Sequence, residues 1–533
     1  MNTKTLTASL LALSLTAGSS HAAYIRGDLL WKCDFTPAEA AQRKLDGRQF
    51  GASGYGVAYE PHEGQNGDGA MRFRSPAQEH TYTITVKPEI PIAGLVLIEA
   101  DVKGMEIGPG YQPWNGPKVM FPYRKTSVAD ARTGKMVYPQ MPSELGSFDW
   151  KTWTLVYDFP AEKNMEEVPV IVLGLERGAG DMWVDSVRVY TAREIPDDQV
   201  VAPFNAVAAK IPRGAFAGRH NPEAVRGVMS GGDLSEESIR NLADWGANLM
   251  RLQIGGNDLR KAESMEAYYA ALTRKLDWCE TIMDRCARNG IKVIVDLHAG
   301  PGCVSTKHAA NIIPDDYDAS ELAKAWEIIA TRLKDHPATY AYDILNEPSV
   351  APSTWVRVCE EVMRDTRKID PKTPFIVESE MHWYEGENVI YSPHFYSPHP
   401  LTHAGVGGPC RVRWSYPGYI NGVYWDKEQM RVDLKRWIDF QREHNARILV
   451  GEFSCILWSK GSDQWIRDAI DLFEEYGWSW TYHAYREWPA WDVEYTNTPE
   501  WTQGKWVKAT EDTQRKRELL KGLSFNGRAA PAP

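Results

Sequence analysis

Little in this chain is suited to crosslinking, metal capture or polyanion binding. Seven cysteines among 533 residues (Cys33, Cys279, Cys286, Cys303, Cys359, Cys410 and Cys455) are scattered and odd in number, so no disulfide framework is expected and at least one thiol stays free. Cys279 and Cys286 lie two turns apart on a helical stretch, too far to bridge each other, and are expected in the core. No Cys or His spacing matches a zinc site. Lys and Arg number 60 against 71 Asp and Glu, a formal net charge of −11 that argues against nucleic acid. No apolar run beyond the N-terminus is long enough to span a membrane. The expectation is a monomer with no metal, no cofactor, and no membrane or nucleic-acid partner.

Aromatic residues, by contrast, are abundant. The 21 Trp and 24 Tyr exceed what cores require, and ring faces suit the apolar C–H faces of sugars. The first 22 residues carry Lys4, an apolar stretch over 6–17 and then Gly18-Ser19-Ser20-His21-Ala22, the pattern of a secretory signal cleaved near Ala22. A secreted or periplasmic mature protein follows from that reading.

Two textures divide the remainder. Residues 23–200 alternate in short apolar and polar runs such as Thr81-Tyr82-Thr83-Ile84-Thr85-Val86, broken by Gly, Pro and Asn, which predicts an all-β sandwich. Its last run, Met182-Trp183-Val184-Asp185-Ser186-Val187-Arg188-Val189-Tyr190, resembles the closing strand of galactose-binding-like jelly rolls, so the sandwich is either a carbohydrate-binding module or a scaffold without a ligand. A Pro- and Ala-rich linker follows. Residues 205–525 then alternate strand and helix patterns, with strands expected at 225–229, 248–254, 292–297, 340–345, 375–378, 389–392, 447–450 and 478–482. Eight strands with helices between them predict an α/β fold, a (β/α)8 TIM barrel, whose functional residues sit at the C-terminal strand ends. An open doubly wound sheet is disfavoured because no Gly-rich nucleotide loop follows the first strand.

Two buried runs end in carboxylates: Tyr342-Asp343-Ile344-Leu345-Asn346-Glu347 and Ile448-Leu449-Val450-Gly451-Glu452. A carboxylate at the mouth of a buried strand is costly unless it is paired or used. Two of them on different strands meet the needs of a retaining glycosidase, which pairs a proton donor with a nucleophile. Other polar residues expected at strand ends are Arg251, His298, Asn346, His394 and Tyr396.

With these stretches, Asn248-Leu249-Met250-Arg251, Asp296-Leu297-His298, Asn346-Glu347-Pro348, Pro393-His394-Phe395-Tyr396 and Gly451-Glu452-Phe453, the chain resembles glycoside hydrolase family 5 of the cellulase and mannanase clan. The resemblance implies Glu347 as general acid/base, Glu452 as nucleophile, and Arg251, His298, Asn346, His394 and Tyr396 around the sugar. It also implies an aromatic platform after strand eight. That position falls on His483, so either Trp480 or Trp488 supplies the platform or the subsite is more polar. Glu347 is expected to be kept protonated by burial and by its neighbouring carboxylate, and Glu452 to be kept ionised by Arg251 and Tyr396. Endo-β-1,4-glucanase is the first expectation. A β-mannanase, a glycosidase of another linkage, or a glycan-binding barrel without catalysis are the alternatives.

Overall fold

A computed structural model of the chain describes residues 24–90, 92–108, 110, 115–125, 135–159, 170–194, 202–302, 304, 311–378, 381–406, 412, 414–496 and 506–527. The expected signal segment lies outside these residues. The chain divides into two compact units, Met1–Val200 with Asn421–Val423, and Val201–Ile420 with Tyr424–Pro533.

The first unit is antiparallel β-structure. Its long strand Gly180–Glu194 pairs with Gly94–Ile107 on one side, and with Ala70–Ser75 and Tyr24–Cys33 in succession on the other. A second sheet joins Thr81–Val86, Ile171–Glu176 and Gly116–Met120. Apolar residues from both sheets, among them Phe73, Ile98, Val184, Ile84, Val119 and Leu173, form one core, as the alternating runs require.

The second unit is a closed parallel barrel. Its strands are β1 (Arg226–Ser230), β2 (Leu249–Gln253), β3 (Lys292–Asp296), β4 (Thr339–Asp343), β5 (Phe375–Glu378), β6 (Val389–Ser392), β7 (Arg447–Phe453) and β8 (Ser479–His483). Neighbours in sequence pair in parallel, and β8 closes on β1. A two-residue strand, His394–Phe395, continues past Pro393 beside β7. All eight strands coincide with the buried apolar runs in the sequence. Helices α1 (Glu236–Asp244), α2 (Met265–Arg288), α3 (Ala319–Leu333), α4 (Pro352–Thr366), α5 (Lys427–Asp433), α6 (Lys435–His444), α7 (Ser462–Tyr476) and α8 (Gln514–Leu523) also belong to this unit. Cys279 and Cys286 are buried on the inner face of α2. No helix among the described residues is long and apolar enough to cross a membrane.

Leu249, Ile294, Ala341, Ile376, Ile390 and Leu449, one from each of β2 to β7, fill the barrel interior as a dry layer. Close strand packing depends on Gly227 of β1, where a Cβ would fall 1.7 Å from the carbonyl oxygen of Leu249. Outside the barrel wall, Arg226 is buried and binds Glu474 of α7 through two hydrogen bonds of 2.6 and 2.7 Å. The same carboxylate accepts from Trp480 Nε1 at 2.9 Å. Glu474→Ala would leave the guanidinium buried without a counterion, and we expect it to cost roughly 3–5 kcal/mol in denaturant unfolding. A loss below about 1 kcal/mol would show that the neighbouring carbonyls suffice.

Candidate active site

Side chains two apart on a strand share a face, so the next inward positions above the apolar layer are already set. They are Arg251 after Leu249, Asp296 after Ile294, Asp343 after Ala341, Glu378 after Ile376, and Ser392 then His394 after Ile390. An apolar floor thus gives way within one layer to charge.

Arg251 lies at the centre of that layer and is 0% exposed. Its Nε donates to Asp343 Oδ2 at 2.8 Å and its Nη1 to Glu452 Oε1 at 2.8 Å. Its Nη2 donates to Glu378 Oε1 at 2.7 Å and to Asn346 Oδ1 at 3.0 Å, with Asp296 3.2 Å away. Four carboxyl groups around one cation cannot all be charged in a dry site. Burial and then the Glu378 charge push the Asp343 carboxyl well above the usual range.

Glu452 is buried, and its second oxygen accepts from the Tyr396 hydroxyl at 2.8 Å. His483 Nδ1 lies 2.7 Å from that hydroxyl and 3.3 Å from Glu452 Oε2. The hydroxyl proton goes to the carboxylate, so the imidazole is the donor in the second bond. Burial alone would raise the Glu452 pKa. The charges of His394, His483 and Arg251 outweigh it and hold the group well below the usual carboxylate range. Gly451 makes room for this packing, since a Cβ there would fall 2.6 Å from Ser392 Oγ and 3.0 Å from His394 Nε2.

Glu347 stands differently. Its side chain is 55% exposed, and its backbone is in the left-handed region at φ 43°, which is uncommon for a residue with a Cβ and recurs at functional sites. Its Oε1 meets His394 Nδ1 at 2.9 Å. One oxygen of Glu347, one of Glu452 and a ring nitrogen of His394 all lie within 4.8 Å of one another. Among the described residues this is the one cluster with the spacing to meet a cation. Burial opposes a charge on His394, but Glu378, Glu452 and Glu347 raise its pKa well above the ordinary value. A protonated imidazole donates hydrogen bonds and offers a metal no lone pair.

Two sequence expectations need correction. Glu347 is not kept protonated in the free site: partial desolvation by the crowded rim opposes its charge, but the hydrogen bond and charge of His394 bring its pKa below the ordinary value. Trp480 is no platform for a ligand. It shares a strand face with Tyr482 and points away from Thr481 and His483, so it is fully buried in the wall beside α7. Trp488 is half-buried in a cluster with Ile456, Ala490 and Trp491, 4.7 Å from the Trp491 ring and set edge-on to it. The ring beside the site is Trp491 itself, 4.8 Å from His483 and stacked 5.6 Å from Tyr396.

Arg251, Asn346, His394, Tyr396 and His483 therefore converge with Glu347 and Glu452. His298 stands at the end of β3 with Nδ1 2.9 Å from Asp296 Oδ2. The sequence reading missed Glu378, and it also missed Gln253 and Glu487, joined by a 2.8 Å hydrogen bond beside His483. Strand parity could have placed Glu378 and Gln253, since both follow an inward apolar residue by two or four positions. Glu487 lies in a loop with no such signal, whereas Trp491 is one of the aromatics that the sequence places on the loop after strand eight.

A parallel eight-stranded barrel with two carboxylates facing each other at its C-terminal rim defines the barrel glycoside hydrolases. The family model described as cellulase (glycosyl hydrolase family 5) matches residues 219–488, and the chain belongs to that family. It is a glycoside hydrolase, of the retaining mechanism that characterises the family. "Endoglucanase C" of Acetivibrio thermocellus is 24% identical over 308 residues, covering 47% of this chain and 84% of that protein. "Cellodextrinase A" of Ruminococcus flavefaciens is 20% identical over 278 residues, covering 48% and 79%. Endoglucanase Cel5A of Thermotoga maritima, a solved structure, is 18% identical with a TM-score of 0.43, covering 57% of this chain and 98% of that one.

His483 gives the site a pH signature. Burial opposes its charge, but Glu452 and then Glu487 raise its pKa from 6.5 to about 9. A group raised on folding contributes stability that is complete below the unfolded value, declines from there, and is gone above the folded value. The melting temperature should therefore fall as pH rises from about 6.5 to about 9, and His483→Asn should flatten that decline. An unchanged slope in the variant would mean that His483 is not charged in the folded protein.

Proposed function

We propose that Glu452 is the nucleophile and Glu347 the general acid/base of an endo-β-1,4-glucanase. The observation that carries the assignment is the approach of the two carboxylates to within 4.8 Å, one held ionised and buried, the other open to solvent. Retaining enzymes set their carboxyl groups about 5–5.5 Å apart, whereas inverting enzymes need about 6.5–9.5 Å to admit a water.

Glu347 and His394 share one proton, which rests on His394 Nδ1 in the free site, 2.9 Å from Glu347 Oε1. Glu452 attacks the anomeric carbon and becomes a glycosyl ester, losing the negative charge that helps hold the proton on His394. As that ester bond forms, the proton passes through Glu347 to the glycosidic oxygen, so the glycosidic bond breaks with its leaving group protonated in the same step. Glu347, ionised again, takes a proton from the water that cleaves the ester. Asn346 accepts from Arg251 through Oδ1, which leaves its Nδ2 group to donate to the sugar 2-hydroxyl. His298 and Trp491 complete the sugar's surroundings, and the half-buried Trp488 extends them. The relatives named endoglucanase and cellodextrinase support a β-1,4-glucan as substrate. The N-terminal segment supports export, and the chain acts on glycan outside the cytoplasm as a monomer.

Glu452→Ala should abolish turnover, with azide restoring part of it and giving a glycosyl azide of inverted configuration, because the anion enters on the vacated face. Glu347→Ala should keep most of its activity on aryl glycosides with good leaving groups and lose about 10²–10⁴-fold on those with poor ones. Equal losses on both substrates would reverse or refute the roles.

The sandwich is a separate binding or scaffold domain, since every residue of the site follows position 205. Residues 205–533 alone should hydrolyse a small aryl glycoside at near-native turnover. If that fragment unfolds cooperatively yet is inactive on the small substrate, the site needs a residue from the first unit.

A further inference from the structure

We propose that Glu378 is the positioning residue of the acid/base, acting through the backbone of Glu347; this rests on the reading of Glu347 as the acid. Glu378 ends β5 and is 2% exposed. Its Oε2 accepts the backbone N–H of Glu347 at 2.6 Å. Its Oε1 accepts from Arg251 at 2.7 Å and lies 3.2 Å from His394 Nε2. Its own carbonyl accepts from Trp355 Nε1 of α4 at 3.0 Å, which anchors the end of the strand. One carboxylate thus binds the acid's backbone and the arginine that holds the nucleophile, and faces the acid's proton partner.

The bond to Glu347 matters because of the conformation it holds. Beyond β4 the chain bends, and the neighbouring N–H groups of Asn346 and Ser349 donate to backbone carbonyls of Leu297 and Asn311. Glu347 instead donates to the Glu378 side chain while holding φ at 43°. A left-handed residue with a Cβ is strained and persists only where its surroundings fix it. Without the acceptor, the N–H is unpaired and the exposed carboxyl is free to leave the leaving-group oxygen. The loss should therefore fall on acid catalysis and spare nucleophilic attack.

Charge gives a second readout. The groups facing the Glu347–His394 pair are Glu378, Glu452, Arg251 and His298, with His399 and His403 from the segment after β6. Glu378 is the largest of the influences that keep the proton on His394. Neutralising it loosens the shared proton, so the alkaline limb of the rate profile moves to lower pH.

The test compares phenyl and dinitrophenyl β-cellobiosides, which differ only in leaving group, on the full-length enzyme. Glu378→Gln should lower kcat/KM on the phenyl glycoside by roughly 10- to 100-fold, a fraction of what a positioned acid contributes, and on the dinitrophenyl glycoside by less than about 3-fold, with the alkaline limb displaced downward. Glu378→Asp keeps the charge on Arg251 but draws it one methylene back from the Glu347 N–H. It should show the same selective loss with the limb unmoved, and it provides the readout if the Gln variant does not fold. Asp343→Asn removes a carboxyl from the same guanidinium without touching Glu347, and should affect both glycosides by one factor. Equal losses on both glycosides in the Glu378 variants would overturn the proposal while leaving the role of Glu347 intact. Equal losses in Glu347→Ala would show instead that the underlying assignment had failed.

Discussion

The guanidinium of Arg251 is the interaction on which this site depends. It is fully buried, and taking such a cation out of water costs several kcal/mol unless its donors are met. Its partners come from the ends of β3, β4, β5 and β7, so the charge that needs compensation also draws four strand ends into one layer. The excess negative charge bears most on Asp343, whose carboxyl is pushed well above the usual range by burial and by the Glu378 charge. Of the other carboxylates, Glu452 carries the proposed chemistry and Glu378 fixes the backbone of its partner. An Arg suits this position better than a Lys because a planar fork can hold several carboxylates at once in fixed directions.

The two key glutamates differ because their surroundings do. Glu452 lies among three cations and a hydroxyl donor, with none of its oxygens left unpaired. Glu347 has one cationic partner at hydrogen-bond distance and an open side to solvent. A nucleophile gains from being held still and charged. An acid has to take up and release a proton during the cycle, which a single solvent-exposed pair with histidine allows and a fully compensated burial would not.

Much of this was legible in the sequence. The barrel strands could be read because parallel strands covered on both faces are nearly uninterrupted apolar runs, and each run ended where a functional residue began. The pairing of Glu452 with Arg251 and Tyr396 followed from the demand for donors around a buried anion. The errors came from non-local geometry. Whether Glu347 is an acid or an anion in the resting site depends on a nitrogen 47 residues away. Trp480 was misplaced because the strand's parity was not carried through: Thr481 and His483 face inward, so Trp480 cannot. Glu378 was passed over because an acid ending Phe375-Ile376-Val377 looks like a strand terminus until its neighbours are known.

The end of β8 shows how the type of residue placed there sets the physics around the Glu452 carboxylate. An aromatic platform offers a sugar a face but gives the carboxylate no charge. His483 gives Glu452 a third cationic neighbour through Tyr396, and Glu487 holds that charge in place with support from Gln253 and the Gly231 N–H. A ring face is present at Trp491, on the loop that follows, where it stacks on Tyr396 and borders His483. Two properties that one side chain could not combine, an aromatic face and a charge on the Glu452–Tyr396 hydrogen bond, are thereby divided between a strand residue whose position is fixed by the barrel and a loop residue whose position is fixed by packing.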